Sequence, residues 1–242
     1  MPRRRLAELT FRKSIFRRPS RSCFLICAFL SLGSGALAEG ADDTLLEYAA
    51  SLRLSNSAQS WSGHGIYLGK GLFITAAHVV GRAWLNNPRV AAGGREYPTT
   101  VVKEGSFQGT DLTLLSIEPK LLPMRLALRQ NALCKEPPVP GQTVVTIVPG
   151  EAVRSHIIAP TQLPLSVRRY STAIADVTRT GNSGSGVFDV QLRCLLGIMS
   201  RKLSQTRTQP VTGKIETYDI AKYFVPASEI AAFFPPDIRQ DQ

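Results

Sequence analysis

"TRTGNSGSGVF", residues 178–188, sets two serines among three glycines ahead of an apolar pair. Read alone it is a polar turn, because Gly, Asn and Ser dominate turns for steric and local hydrogen-bonding reasons. Read as a site, it is a loop that holds a nucleophile still. A serine hydroxyl is a weak nucleophile until a base removes its proton. The choice therefore depends on whether the chain also supplies a base and an acid to orient that base.

Three histidines are available: His64, His78 and His156. His78 lies in "LFITAAHVV", residues 72–80, where an apolar strand runs into two alanines before the imidazole. A strand end gives a fixed backbone and an exposed ring, and a neutral imidazole near pH 7 can accept a hydroxyl proton. A packed core histidine is the competing reading. His64, between glycines in "SGHGIYLG", reads as a structural or surface residue and His156 as a surface residue. Asp111, in "GTDLTLLSI", residues 109–117, directly precedes another apolar strand. A carboxylate there can accept an imidazole N–H, or simply cap a turn. Acyl transfer also needs donors for an oxyanion. The segment Gly181–Asn182–Ser183 can supply them, with Gly181 free of a side chain and the Ser183 N–H beside it.

Jointly, "TAAH", "DLTLL" and "GNSGSG" resemble the trypsin-like serine proteases, above all the bacterial periplasmic HtrA-type branch and its short relatives. The motifs occur in the order His, Asp, Ser, separated by 33 and then 72 positions. That is the chymotrypsin order and not the α/β-hydrolase order, and Ser185 breaks the G-x-S-x-G elbow of the latter. The resemblance covers Trp61 to Phe234. It implies an all-β fold of two packed antiparallel β-barrels with the cleft between them. It further implies His78 as general base, Asp111 as its orienter and Ser183 as nucleophile.

By the same resemblance the primary substrate pocket lies between Val177–Thr178 and Ser200–Arg201–Lys202. Val177 at its floor offers no counter-charge, so a small or medium apolar residue is expected before the cut. Arg201 and Lys202 offer a rival preference for glutamate. Three features depart from the family. Ser185 stands where relatives usually have glycine. Asn182 replaces the aspartate that pairs with a new N-terminus in digestive relatives, so activation by propeptide cleavage is not expected. Only 8 residues follow Phe234, so no PDZ domain is expected.

The 242 residues carry a formal charge of +11. This excess does not point to nucleic acid. Residues 1–38 hold 8 Lys+Arg and 1 acidic residue, leaving 29−8 = 21 basic and 18−1 = 17 acidic residues, a net of +4. The same 38 residues read as a secretory leader, with a basic start, the apolar run "CFLICAFLSL" and small residues at Ala36 and Ala38. An uncleaved anchor is the alternative. A periplasmic or secreted location follows, without membrane attachment once the leader is removed. Cys134 and Cys194 remain in the mature chain, and an exported protein can join them. Two separate buried thiols are equally compatible with that spacing.

From Trp61 onward, short runs rich in Val, Ile, Leu and Thr are broken by Gly, Pro and Asn, the texture of a barrel or sandwich. "EPPVPGQ", residues 136–142, divides them, since prolines cannot sit inside a sheet. The expected organisation is a leader (1–38), an extension with a short helix (39–60), a first barrel (61–134), a second barrel with a C-terminal helix (135–234) and a tail (235–242). No metal-ligand spacing is present, and no metal or cofactor is expected. The expected partner is a protein or peptide substrate. The expected activity is an exported serine endopeptidase. A non-catalytic binding or chaperone-like module on this fold, or an esterase, remains as the alternative.

Overall fold

The computed structural model describes residues 44–53, 63–175 and 183–239. The expected leader, the oxyanion residues Gly181 and Asn182, and the pocket residues Val177 and Thr178 lie outside them. Seven antiparallel strands build the first half: β1 (Ala49–Arg53), β2 (Gly63–Gly69), β3 (Leu72–Thr75), β4 (Arg89–Ala92), β5 (Arg95–Pro98), β6 (Thr100–Glu104) and β7 (Thr113–Ser116). They pair in the order β5-β4-β1-β2-β3-β7-β6, a half-barrel sheet in keeping with the two-barrel fold expected. The second half is a closed barrel: β8 (Thr143–Val148), β9 (Glu151–Ile158), β10 (Ala173–Ile174), β11 (Gly186–Asp189), β12 (Leu195–Thr208) and β13 (Ile215–Pro226).

The pattern of burial explains the strands. All four residues of β3, "LFIT", are buried, as its continuous apolar run requires of a strand covered on both faces. Ile66, Ile74, Leu112 and Leu114 of the first half share one core cluster with Val145, Ile147, Phe188, Ile198 and Val225 of the second. The two halves thus bury their facing surfaces in one continuous core. The helix Ala227–Phe233 closes that cluster, burying Ala227, Ile230 and Phe233 at three-residue spacing before Pro235 and Pro236 end it.

One expectation needs correction. Among the described residues of the 39–60 extension, the expected short helix is limited to residues 44–46, and the chain then runs as β1. Ala50 and Leu52 are fully buried at strand period, and β1 fills the slot between β4 and β2. Cys134 and Cys194 form a disulfide with a Cα–Cα distance of 5.0 Å. A parallel bridge between Leu133 and Leu195 sets their neighbours side by side.

Candidate active site

His78 follows β3 directly, on the single helical turn α1 (Ala77–Val80). Ala77, Val79 and Val80 point into the core and the imidazole points out. Asp111 sits two residues before β7 and is only 2% exposed. The 33-residue separation closes in space. His78 Nδ1 lies 2.9 Å from Asp111 Oδ2 and 3.2 Å from Oδ1, and the His78 backbone N–H donates to Oδ1 at 3.0 Å. A carboxylate takes an N–H, so this contact fixes Nδ1 as the protonated nitrogen and leaves Nε2 as an acceptor.

Asp111 has a further donor. The buried Ser200 hydroxyl donates to Oδ2 at 2.5 Å. Burial alone would raise the Asp111 pKa. The hydrogen bonds from the His78 ring, the Ser200 hydroxyl and the His78 backbone outweigh it and hold the carboxyl below its ordinary value. Asp111 is therefore ionised at neutral pH.

Ser183 is clamped by the backbone around it. The His64 N–H, from the first half, donates to the Ser183 carbonyl at 2.9 Å, and the Gly184 N–H donates to the Met199 carbonyl at 2.8 Å. Gly184 has φ +85°, and a Cβ there would stand 1.9 Å from the His64 carbonyl oxygen. Only glycine fits this approach. The Ser183 hydroxyl points to the Ser200 carbonyl at 3.4 Å. Among the described residues it makes no hydrogen bond to the imidazole. His78 and Asp111 are thus joined, and the Ser183 hydroxyl faces the Ser200 carbonyl.

Arg201 and Phe107 extend the site. The Arg201 guanidinium lies 4.1 Å from the Phe107 ring centroid. Its Nη2 donates to the Phe107 carbonyl at 2.8 Å and its Nε to Ser200 Oγ at 3.2 Å. Nη2 also stands 4.0 Å from Asp111 Oδ2. Phe107 in turn meets the His78 ring edge-on, with centroids 5.2 Å apart.

The sequence-assigned residues are distributed unevenly. His78 and Asp111 are joined, and Ser183 lies beside Ser200. Of the pocket residues, Ser200 contacts both Asp111 and Ser183, Arg201 folds back toward Asp111, and Lys202 is paired with Asp219 at 2.6 Å. Ser185 is fully buried at the entry to β11 and does not reach the cleft. The His64 ring is half-buried, with its pKa lowered by burial, and His156 is exposed. Among the described residues, no three His, Cys, Asp or Glu side chains gather as metal ligands. Sequence reasoning missed Phe107 and the Ser200–Asp111 bond. A serine in "GIMSRKL" carries no local mark of a carboxylate partner.

Comparison with known proteins gives the fold and the class. The sequence matches the family model of the trypsin-like peptidase domain over residues 63–198. Among curated proteins, none matches the chain. Of solved structures, the inactive form of the Rv3671c protease of M. tuberculosis is 19% identical with a TM-score of 0.58, covering 83% of this chain and 94% of that one. The HtrA-type protease AlgW with tripeptide is 20% identical, with a TM-score of 0.58 over 79% of this chain, which spans 60% of AlgW. A serine endoprotease from Yersinia pestis is 17% identical, with a TM-score of 0.57, covering 84% of this chain and 67% of that one. At such identities the structural likeness speaks for the fold, and the family model speaks for the class. The chain belongs to the trypsin-like peptidase family, the serine endopeptidases with the chymotrypsin-like fold.

Proposed function

We propose that the chain is an exported endopeptidase that cleaves peptide bonds through Ser183, His78 and Asp111. One observation carries this reading. The buried Asp111 carboxylate holds the Nδ1 side of His78, so Nε2 is left to accept a proton. In the reaction the Ser183 hydroxyl turns from the Ser200 carbonyl toward Nε2 and attacks the scissile carbonyl carbon, and its proton passes to Nε2. The backbone N–H groups of the Gly181–Asn182–Ser183 segment receive the oxyanion. His78 then gives its proton to the leaving amine, and water hydrolyses the acyl-enzyme with the imidazole again as base. Asp111 keeps the tautomer correct and stabilises the imidazolium. The leader-like N-terminus and the Cys134–Cys194 bond support export, because disulfides persist in oxidising compartments.

The hydroxyl facing Ser200 favours a second reading, a binding module without turnover. A fluorophosphonate probe separates the two, since it modifies only an activated serine. The proposal expects one adduct on the wild type and none on Ser183→Ala. It expects labelling of Asp111→Asn to be slower by about 10⁴, because the wrong tautomer then faces the serine. No adduct on the wild type supports the binding module. A loss under about tenfold in Asp111→Asn would reduce that residue to a structural role.

A further inference from the structure

A cavity of about 280 Å³ opens beside Asp111, between the 108–109 turn and β13. Two guanidiniums line it, Arg169 and Arg201, with Tyr170 between them in chemistry and contact. Arg169 Nη2 donates to the Tyr170 hydroxyl at 3.1 Å and its guanidinium lies over that ring at 5.0 Å. Arg201 approaches the same ring at 5.8 Å. Tyr170 is fixed in turn against Tyr223, with centroids 4.8 Å apart. Among the described residues Arg169 has no carboxylate within ion-pair distance. The Arg201 partner is Asp111 at 4.0 Å, whose oxygens are already held by His78 and Ser200.

Glu229 also lines the space, from the exposed side of the C-terminal helix, and makes no ion pair with either arginine. The lining sets two guanidiniums against two carboxylates, Asp111 and Glu229, and with Asp111 already held by His78 and Ser200, Arg169 is left without an ion-pair partner among the described residues. Burial would raise the Tyr170 pKa, yet the Arg169 hydrogen bond and the charges of Arg201 and Arg169 bring it below its ordinary value. The volume has room for one short side chain, and a guanidinium fork fits a carboxylate in two-point geometry. The cavity also adjoins the chemistry. It shares Asp111 with the site, and Arg201 follows Ser200, whose carbonyl meets Ser183. At about 3.3 Å per residue, an extended peptide reaches from there within a few positions.

We propose that this cavity receives a Glu or Asp side chain of the substrate, about three residues or fewer from the scissile bond, with Arg169 and Arg201 as its partners. The inference rests on the endopeptidase reading above and names its substrate class. The test uses a cleavable reference peptide carrying Glu or Gln at each of the positions flanking the cut. Turnover is read with the wild-type mature chain, and binding by fluorescence anisotropy with Ser183→Ala. At one position Glu is expected to exceed Gln by about tenfold in kcat/KM and in affinity, as a charge-assisted bond would give. In Arg169→Gln the ratio is expected to fall to about one, and in Arg169→Lys to keep part of its value. Being a ratio within one variant, it is insensitive to general loss of activity. A ratio near one at every position, or one unmoved by Arg169→Gln, overturns the acid site. A Glu preference in binding with no turnover of any peptide keeps the acid site and overturns the endopeptidase reading.

Discussion

Replacing Gly184 by alanine tests the clamp that holds Ser183, the proposed nucleophile. The new Cβ would lie 1.9 Å from the His64 carbonyl oxygen and 2.5 Å from Thr75 Oγ1. Backbone at that distance must move by about an ångström, since real Cβ contacts stay near 3 Å or beyond. The residue also keeps φ +85°, which costs an L side chain about 1–2 kcal/mol. Displacing His64 loosens two bonds, the Thr75 hydroxyl to the His64 carbonyl at 2.6 Å and the His64 N–H to the Ser183 carbonyl at 2.9 Å. At about 1 kcal/mol each these bring the expected loss of stability to roughly 3–4 kcal/mol. Ser183 moves with its carbonyl, and a misplacement of about 1 Å is expected to slow fluorophosphonate labelling by about 10². Urea midpoints at constant slope and intact-mass labelling rates give the two quantities. A variant within about 0.5 kcal/mol of the wild type, labelled at the same rate, would refute the clamp.

Ser185→Ala removes a buried hydroxyl that has no hydrogen-bond partner among the described residues. Stability is expected to hold or rise by up to about 1 kcal/mol in urea unfolding, with labelling unchanged. Replacing Cys134 and Cys194 together by serine opens a 60-residue loop and is expected to cost about 4 kcal/mol in the same assay under oxidising conditions. The Asp111 pKa is lowered by folding, so its contribution to stability is complete above its unfolded value of about 3.9. It is lost as pH falls through the lower folded value. Urea midpoints across acid pH should therefore decline on that limb, and Asp111→Asn should flatten it.

The order and spacing of His78, Asp111 and Ser183, with the strand texture around them, made the fold and the closeness of His78 to Asp111 legible. What escaped reading depends on contacts between distant segments. "TLLEYAASLRL" fits helical spacing, and it also places Ala50 and Leu52 at strand period. The open position between β4 and β2 chooses the strand, and that position exists only once the sheet forms. The Cys134–Cys194 bridge was undecidable because a separation of 60 says nothing of proximity; the Leu133–Leu195 bridge supplies it. Ser200 becomes a carboxylate partner only when the second barrel brings it 2.5 Å from an acid of the first sheet. The orientation of the Ser183 hydroxyl is a rotamer choice, and a motif does not encode it.

The halves meet through the bond from the His64 N–H to the Ser183 carbonyl, and this has a consequence for when the molecule becomes dangerous to its neighbours. A ribosome makes the proposed base and acid, His78 and Asp111, first, and Ser183 follows Asp111 by 72 residues. At about 5–20 residues per second that interval is roughly 4–14 s. During it the nascent chain holds an acid and a base with no nucleophile to activate. Even a completed chain leaves Ser183 unanchored until its loop docks on the first sheet. If hydrolysis runs through these three residues as proposed, the capacity for it is acquired last, as a property of the finished assembly of both halves, and a truncated or half-folded copy is chemically silent.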